Sequence, residues 1–132
     1  MERQPQILVV DDDPDIVEAI KAVLESRNYA VITASNGEEG LEKIRQSKPD
    51  LLILDLLMPK KDGFAVCREL KEHPKYCDIP ILILTSVRED ASRRRYELET
   101  GLALDVDDYV EKPIPPVDLL HRVERVLRRR SS

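Results

Sequence analysis

Tryptophan is absent from the 132 residues, phenylalanine occurs once and glycine four times. Scarce aromatics remove the stacking platforms of single-stranded nucleic-acid binders, and the Arg93-Arg94-Arg95 run has none interleaved with it. That run reads as a solvated helix face. With so few glycines there is no Gly-rich dinucleotide loop; the first turn reads Asp-Asp-Asp-Pro instead. The two cysteines lack metal or redox spacing: Cys67 fits the apolar stripe of a helix and Cys77 a loop, so both are expected to be free thiols in a reducing cytoplasm. An excess of cations is also missing. Lys and Arg number 21 against 26 Asp and Glu, a net charge of −5, which argues against nucleic acid as a direct partner and against a basic membrane-surface helix. Apolar runs such as Leu51–Leu54 and Ile81–Leu84 fall far short of the roughly 20 residues that cross a bilayer. No apolar stretch of signal length follows Met-Glu-Arg-Gln-Pro, so the expected location is cytoplasmic.

What the chain does have is alternation. Ile7–Val10 is a wholly apolar, β-branched run, as suits a strand covered on both faces. Asp13-Pro14 opens a helix with Ile16, Ile20, Val23 and Leu24 at helical spacing, and Asn28 marks its stop. Strand Ala30–Ala34 follows, then a Ser35-Asn36-Gly37 turn and a helix holding Leu41 and Ile44, ended by Lys48-Pro49. Strand Leu51–Leu54 closes on Asp55, and the Met58–Gly63 loop leads to a helix carrying Phe64, Cys67 and Leu70. Strand Ile81–Leu84 ends at Thr85. A charged helix over Glu89–Glu99, a weak strand Asp108–Glu111 and a helix from Pro115 or Pro116 burying Leu119, Leu120, Val123 and Leu127 complete five β-α units. His73 and His121 read as exposed helix residues. Strict alternation implies an α/β fold with a doubly wound five-stranded parallel sheet and helices on both faces. No linker or repeat interrupts it, so residues 1–132 are read as one domain with a core over about 6–127 and no output domain.

In such sheets ligands bind beyond the carboxyl ends of the strands. Those ends carry Asp11-Asp12-Asp13, Asp55, Thr85-Ser86 and Lys112-Pro113, while the strand interiors carry no charge. Taken singly, each has a plainer reading. Asp11–Asp13 serve as a solvated helix cap, Asp55 as a turn acid, Thr85 as a β-branched strand residue, Lys112 as a surface lysine and Tyr109 as a core aromatic. Together they make a site. Crowded carboxylates raise each other's pKa unless a cation offsets them. Hard oxygen ligands with an open coordination sphere suit Mg²⁺, and Lys112 adds an ammonium. A carboxylate can then take a phosphoryl group, which needs mainly positioning and charge neutralisation.

These pieces, "ILVVDDDPDI", "PDLLILDLLMPKKDGF", "IPILILTS" and "DDYVEKP", resemble the response-regulator receiver domains of two-component phosphorelay signalling. The resemblance spans Ile7–Pro113. It implies a flavodoxin-like (βα)5 sheet of order 2-1-3-4-5. It also implies that Asp55 is the phosphoacceptor, that Asp12 holds Mg²⁺ directly and Asp11 partly through water, and that Leu57 offers the metal its backbone carbonyl. Thr85 resembles the switch hydroxyl, Lys112 the lysine that pairs with the phosphoryl group, and Tyr109 the aromatic that turns inward when Thr85 moves. The bond to Pro113 is cis in the family, which would aim Lys112. The implied phosphodonors are a sensor histidine kinase, a histidine phosphotransfer protein or small acyl phosphates. The implied target is a downstream protein or a fused output domain, with a phosphorylation-dependent homodimer through the last helices left open.

Two departures stand out. The Thr85–Lys112 stretch is longer than usual, with Leu104-Asp105-Val106 in place of the common Gly-Ala. Lys60-Lys61 replaces a small or apolar pair, with local loop effects expected. The alternatives are a Mg²⁺-dependent phosphatase of the haloacid-dehalogenase type and an interaction module that is never phosphorylated. The first wants an acid two residues after the nucleophile, where Leu57 stands; the second leaves a full set of site groups without use. The expected molecule is therefore a switch that catalyses only its own phosphorylation and dephosphorylation. Its acyl phosphate is expected to be long-lived, because Leu57 and Val87 cannot position an attacking water.

Overall fold

A computed structural model describes residues 4–58, 60–86, 91, 93–95, 97 and 105–131, the side chains of 130 and 131 excepted. Five strands, β1 (Gln6–Val10), β2 (Ala30–Ala34), β3 (Leu51–Asp55), β4 (Ile81–Thr85) and β5 (Asp108–Glu111), lie in the order β2-β1-β3-β4-β5. Every neighbouring pair is parallel. The helices are α1 (Pro14–Glu25), α2 (Gly37–Gln46), α3 (Gly63–Glu72), the helical residues 91, 93–95 and 97 that mark α4, and α5 (Pro116–Ser131). Glu89 and Glu99, the expected bounds of the fourth helix, lie outside the described residues, as do Val87 and Leu104.

β1, β3 and β4 are apolar between their ends because both faces are covered, and the strand side chains alternate between two cores. Leu8, Val10, Leu52, Leu54, Ile81 and Ile83 face one core with Leu41, Ile44, Val66 and Leu70 of α2 and α3. Ile7, Val9, Leu51, Ile53, Leu82 and Leu84 face the other with residues of α1 and α5. Each such fully buried aliphatic side chain contributes about 1.5–3 kcal/mol relative to exposure. Among the described residues no helix is long and apolar enough to cross a membrane.

The helix starts follow capping chemistry. Asp13, Asn36 and Asp62 each accept from a backbone N–H in the first turn, of Asp15, Glu39 and Ala65 respectively, and Pro14 opens α1. Asn28 takes the left-handed conformation (φ 65°) after α1, as its role of stop residue requires. Two helix faces differ from the sequence expectation by one residue. α1 buries Val17 with Ile20 and Leu24, leaving Ile16 and Val23 only partly covered. α5 fully buries Val126, and Leu127 is the partly covered one. His73 is exposed but caps α3 instead of lying within it. Asp108 pairs with Arg122 at 2.8 Å and fastens β5 to α5; partly open to solvent, the pair contributes about 1 kcal/mol.

Candidate metal and phosphoryl site

The site forms where β1, β3, β4 and β5 end. Parallel strands in register bring their carboxyl ends to one rim: Val10 pairs with Leu54 and Asp55 with Leu84, while Thr85 pairs with Glu111. The next residue beyond β1 is Asp11, and beyond β5 it is Lys112. Asp11, Asp12 and Asp55 each offer a carboxylate oxygen, all lying within 4.8 Å of one another. Asp11 and Asp55 are buried, 1% and 2% exposed, and Asp12 faces solvent. An open cleft of about 420 Å³ runs from Asp11 and Asp12 past Pro14, Ser35 and Glu39.

Local structure fixes these groups. The Asp13 N–H donates to Asp11 Oδ1 at 3.0 Å, which turns that carboxylate back over its own chain. The Leu57 N–H approaches Asp55 Oδ1 at 3.4 Å. Gly63 lets α3 start against the end of β3: a Cβ there would lie 2.5 Å from the Asp55 carbonyl oxygen and 2.7 Å from Leu56 Cα. Its N–H donates to the Leu56 carbonyl at 2.8 Å. On the far side the Lys112 N–H donates to the Thr85 carbonyl at 2.6 Å, which ties β5 to β4 at the site, and the Lys112–Pro113 bond is cis. Thr85 is buried, and its hydroxyl donates to the Val110 carbonyl at 3.4 Å.

The Lys112 ammonium reaches both buried carboxylates, Asp11 Oδ2 at 3.1 Å and Asp55 Oδ1 at 3.6 Å. The first is a charge contact off the angle of a hydrogen bond, for Asp11 Oδ2 is buried with no hydrogen-bond partner. The pKa of Asp11 is raised above its usual 3.8, mainly by burial and further by the Asp55 charge; the Asp13 N–H and Lys112 act against this. Like-charge crowding, the cause expected from the sequence, is thus the lesser one. A buried carboxylate oxygen lacking a donor, beside two further carboxylates and an open cleft, is a donor set that fits a hard divalent cation.

All the site residues singled out in the sequence except Tyr109 gather at this rim. Tyr109 lies two residues inside β5, half-buried against the α2–α3 core. Arg93 is not a solvated residue: its guanidinium stands 4.6 Å over the Tyr109 ring and its Nη1 lies 3.2 Å from Glu97. The Lys60-Lys61 pair acts beyond its own loop. Lys60 adopts φ 68°, Lys61 pairs with Glu69 of α3, and the Lys61 carbonyl packs where a Cβ on Gly37 would sit. Gly37 and Gly63 hold loops against the site, and the sequence signal for both was the turn residues around them.

The family model of the response regulator receiver domain matches residues 7–124. The chain belongs to that family. It is 44% identical over 124 residues to the Bacillus subtilis alkaline phosphatase synthesis transcriptional regulatory protein PhoP, covering 94% of this chain and 49% of that one. It is 46% identical over 130 residues to "Probable transcriptional regulator ycf27" of Pyropia yezoensis, covering 98% and 50%. The chain thus spans about half the length of the curated relatives it matches. The signal receiver domain of a signal transduction histidine kinase from Syntrophus aciditrophicus superposes with a TM-score of 0.81 at 35% identity, covering 94% of this chain and 90% of that one.

Proposed function

We propose that the chain is a phosphorylation switch in which Asp55 accepts a phosphoryl group in a Mg²⁺-dependent reaction. The observation that carries this reading is the trio of carboxylates within 4.8 Å of one another, two of them buried and both reached by Lys112. Asp11, Asp12, Asp55 and the Leu57 carbonyl would hold the cation, which when bound neutralises charge on the carboxylates and the incoming phosphate. The Asp55 carboxylate needs no base to attack. One of its oxygens bonds to phosphorus as the donor's P–N or P–O bond breaks, and the donor leaves with the electron pair. The Lys112 ammonium offsets the added negative charge. The Thr85 hydroxyl can exchange the Val110 carbonyl for a phosphoryl oxygen, since a 3.4 Å bond gives up little.

The donor proposed is a sensor histidine kinase or histidine phosphotransfer protein, and the output a downstream partner or fused domain. The switch shifts a pre-existing equilibrium and acts on no other substrate. The test is mass spectrometry after acetyl phosphate and Mg²⁺. A single added phosphoryl is expected in the wild type and none in Asp55→Asn or in chelator. An Asp55→Asn protein that still gains the mass refutes the reading. The half-buried, apolar Leu57 favours an acyl phosphate that outlasts seconds, read by the same instrument over time.

A further inference from the structure

We propose that Arg93, backed by Glu97, is a positioning residue that holds Tyr109 at the sheet edge and so sets the resting balance of the switch. The inference rests on the switch reading above. Tyr109 is caught between two environments. Inward it packs against the core that contains Cys67 and Ile83; outward its ring faces the Arg93 guanidinium at 4.6 Å. Arg93 is itself aimed, because Glu97, one turn on in α4, takes Nη1 at 3.2 Å from Oε1 and 3.5 Å from Oε2. Both side chains are mostly covered, 21% and 27% exposed, so the contact is shielded from solvent.

The link from the phosphoryl site to this contact is short. The Thr85 hydroxyl is bonded to the carbonyl of Val110, the residue after Tyr109 in β5. When Thr85 turns to a phosphoryl oxygen, the Val110 carbonyl is released and space opens behind the ring. For Tyr109 to move inward it must leave the guanidinium. Arg93 therefore opposes the active arrangement, and a guanidinium suits this better than an ammonium because it stacks flat on the ring while still pairing with a carboxylate. The same pair holds α4 to β5.

The test labels the protein with 3-fluorotyrosine, assigns the Tyr109 resonance with Tyr109→Phe, and measures its relaxation by a soluble gadolinium chelate. In the wild type, acetyl phosphate with Mg²⁺ is expected to lower that relaxation as the ring turns inward. Unphosphorylated Arg93→Ala should lie part of the way there, its inward-to-outward ratio raised roughly two- to fivefold, the weight of such a contact. Arg93→Lys should fall between, and it guards against a misfolded alanine variant. A residue that only covered the ring would give the opposite sign, with Tyr109 more exposed in Arg93→Ala. Increased or unchanged relaxation in Arg93→Ala, alongside a responding wild type, overturns the inference. A wild type that takes up phosphate without any change at Tyr109 overturns both this inference and the relay it rests on.

Discussion

Replacing Asp11 by Asn should make the metal-free protein more stable while removing its response to Mg²⁺. At an effective dielectric near 20, the 3.1 Å contact to Lys112 gives Asp11 about 5 kcal/mol of attraction. Asp55, within 4.8 Å, adds at least about 3 kcal/mol of repulsion, and exposed Asp12 adds less because water screens it. Removing a carboxylate from water adds several kcal/mol more. The balance is against the charge, in keeping with the raised pKa of Asp11, whose largest cause is burial. The Asp11→Asn side chain keeps an oxygen for the Asp13 N–H, but its amide nitrogen replaces the oxygen that faces Lys112, which offsets part of the gain from losing the charge. The expected gain near pH 7.5 in chelator is about 1–3 kcal/mol, or roughly 3–10 °C in Tm. The sign with pH follows from the raised value. Well below the ordinary 3.8 the wild-type carboxyl is protonated in both folded and unfolded states and carries no penalty; the penalty sets in as pH rises past 3.8 and is complete above the raised folded-state pKa. The advantage of the Asp11→Asn protein should therefore shrink on acidification. Thermal unfolding followed by circular dichroism, with chelator and with millimolar Mg²⁺, reads both effects. An Asp11→Asn protein less stable than wild type in chelator at pH 7.5, or one equally stabilised by Mg²⁺, would show that the buried charge is no net cost or that Asp11 does not hold the cation.

Two further outcomes test how the loops hold the site. Gly63→Ala should cost about 2–3 kcal/mol in urea unfolding, since its Cβ would press on the Asp55 carbonyl oxygen from 2.5 Å; it should also slow phosphorylation, and an unchanged urea midpoint would count against the close approach. Lys60→Gly should stabilise by about 0.5–1 kcal/mol, because φ 68° strains any residue with a Cβ, while the greater unfolded-chain entropy of glycine offsets part of the gain. A lowered midpoint would mean that the Lys60 side chain contributes more than its backbone conformation costs.

The sheet was readable because β1, β3 and β4 are short apolar runs that end at or just before a polar group, and the weaker β5 leads into Lys112. In a parallel sheet that pattern has one geometric meaning: Val10, Leu54, Leu84 and Glu111 share a rim, so the groups beside them must meet. The helix faces were less readable. In α1 the choice between Ile16 and Val17, and in α5 between Val126 and Leu127, turns on a rotation of about 100° per residue. Adjacent apolar residues give that rotation no preference, and only the packed sheet decides.

The Arg93–Tyr109 contact was illegible for a different reason. The two lie far apart in the chain, and three consecutive arginines on a charged helix carry no mark of which one folds over the sheet edge. Residues 94 and 95 are exposed as expected; Arg93 is not. The distinguishing fact is that β5 is an edge strand, with β4 its one neighbour among the described residues. Its tyrosine cannot be covered by a further strand, so a side chain from the neighbouring helix covers it. The same strand receives the Thr85 hydroxyl and leads directly into Lys112. An edge strand with one ladder of hydrogen bonds moves at lower cost than the central β1 or β3. In the proposed switch, chemistry at the rim would act on an edge strand, and a cation over its tyrosine is placed to shift that strand's position.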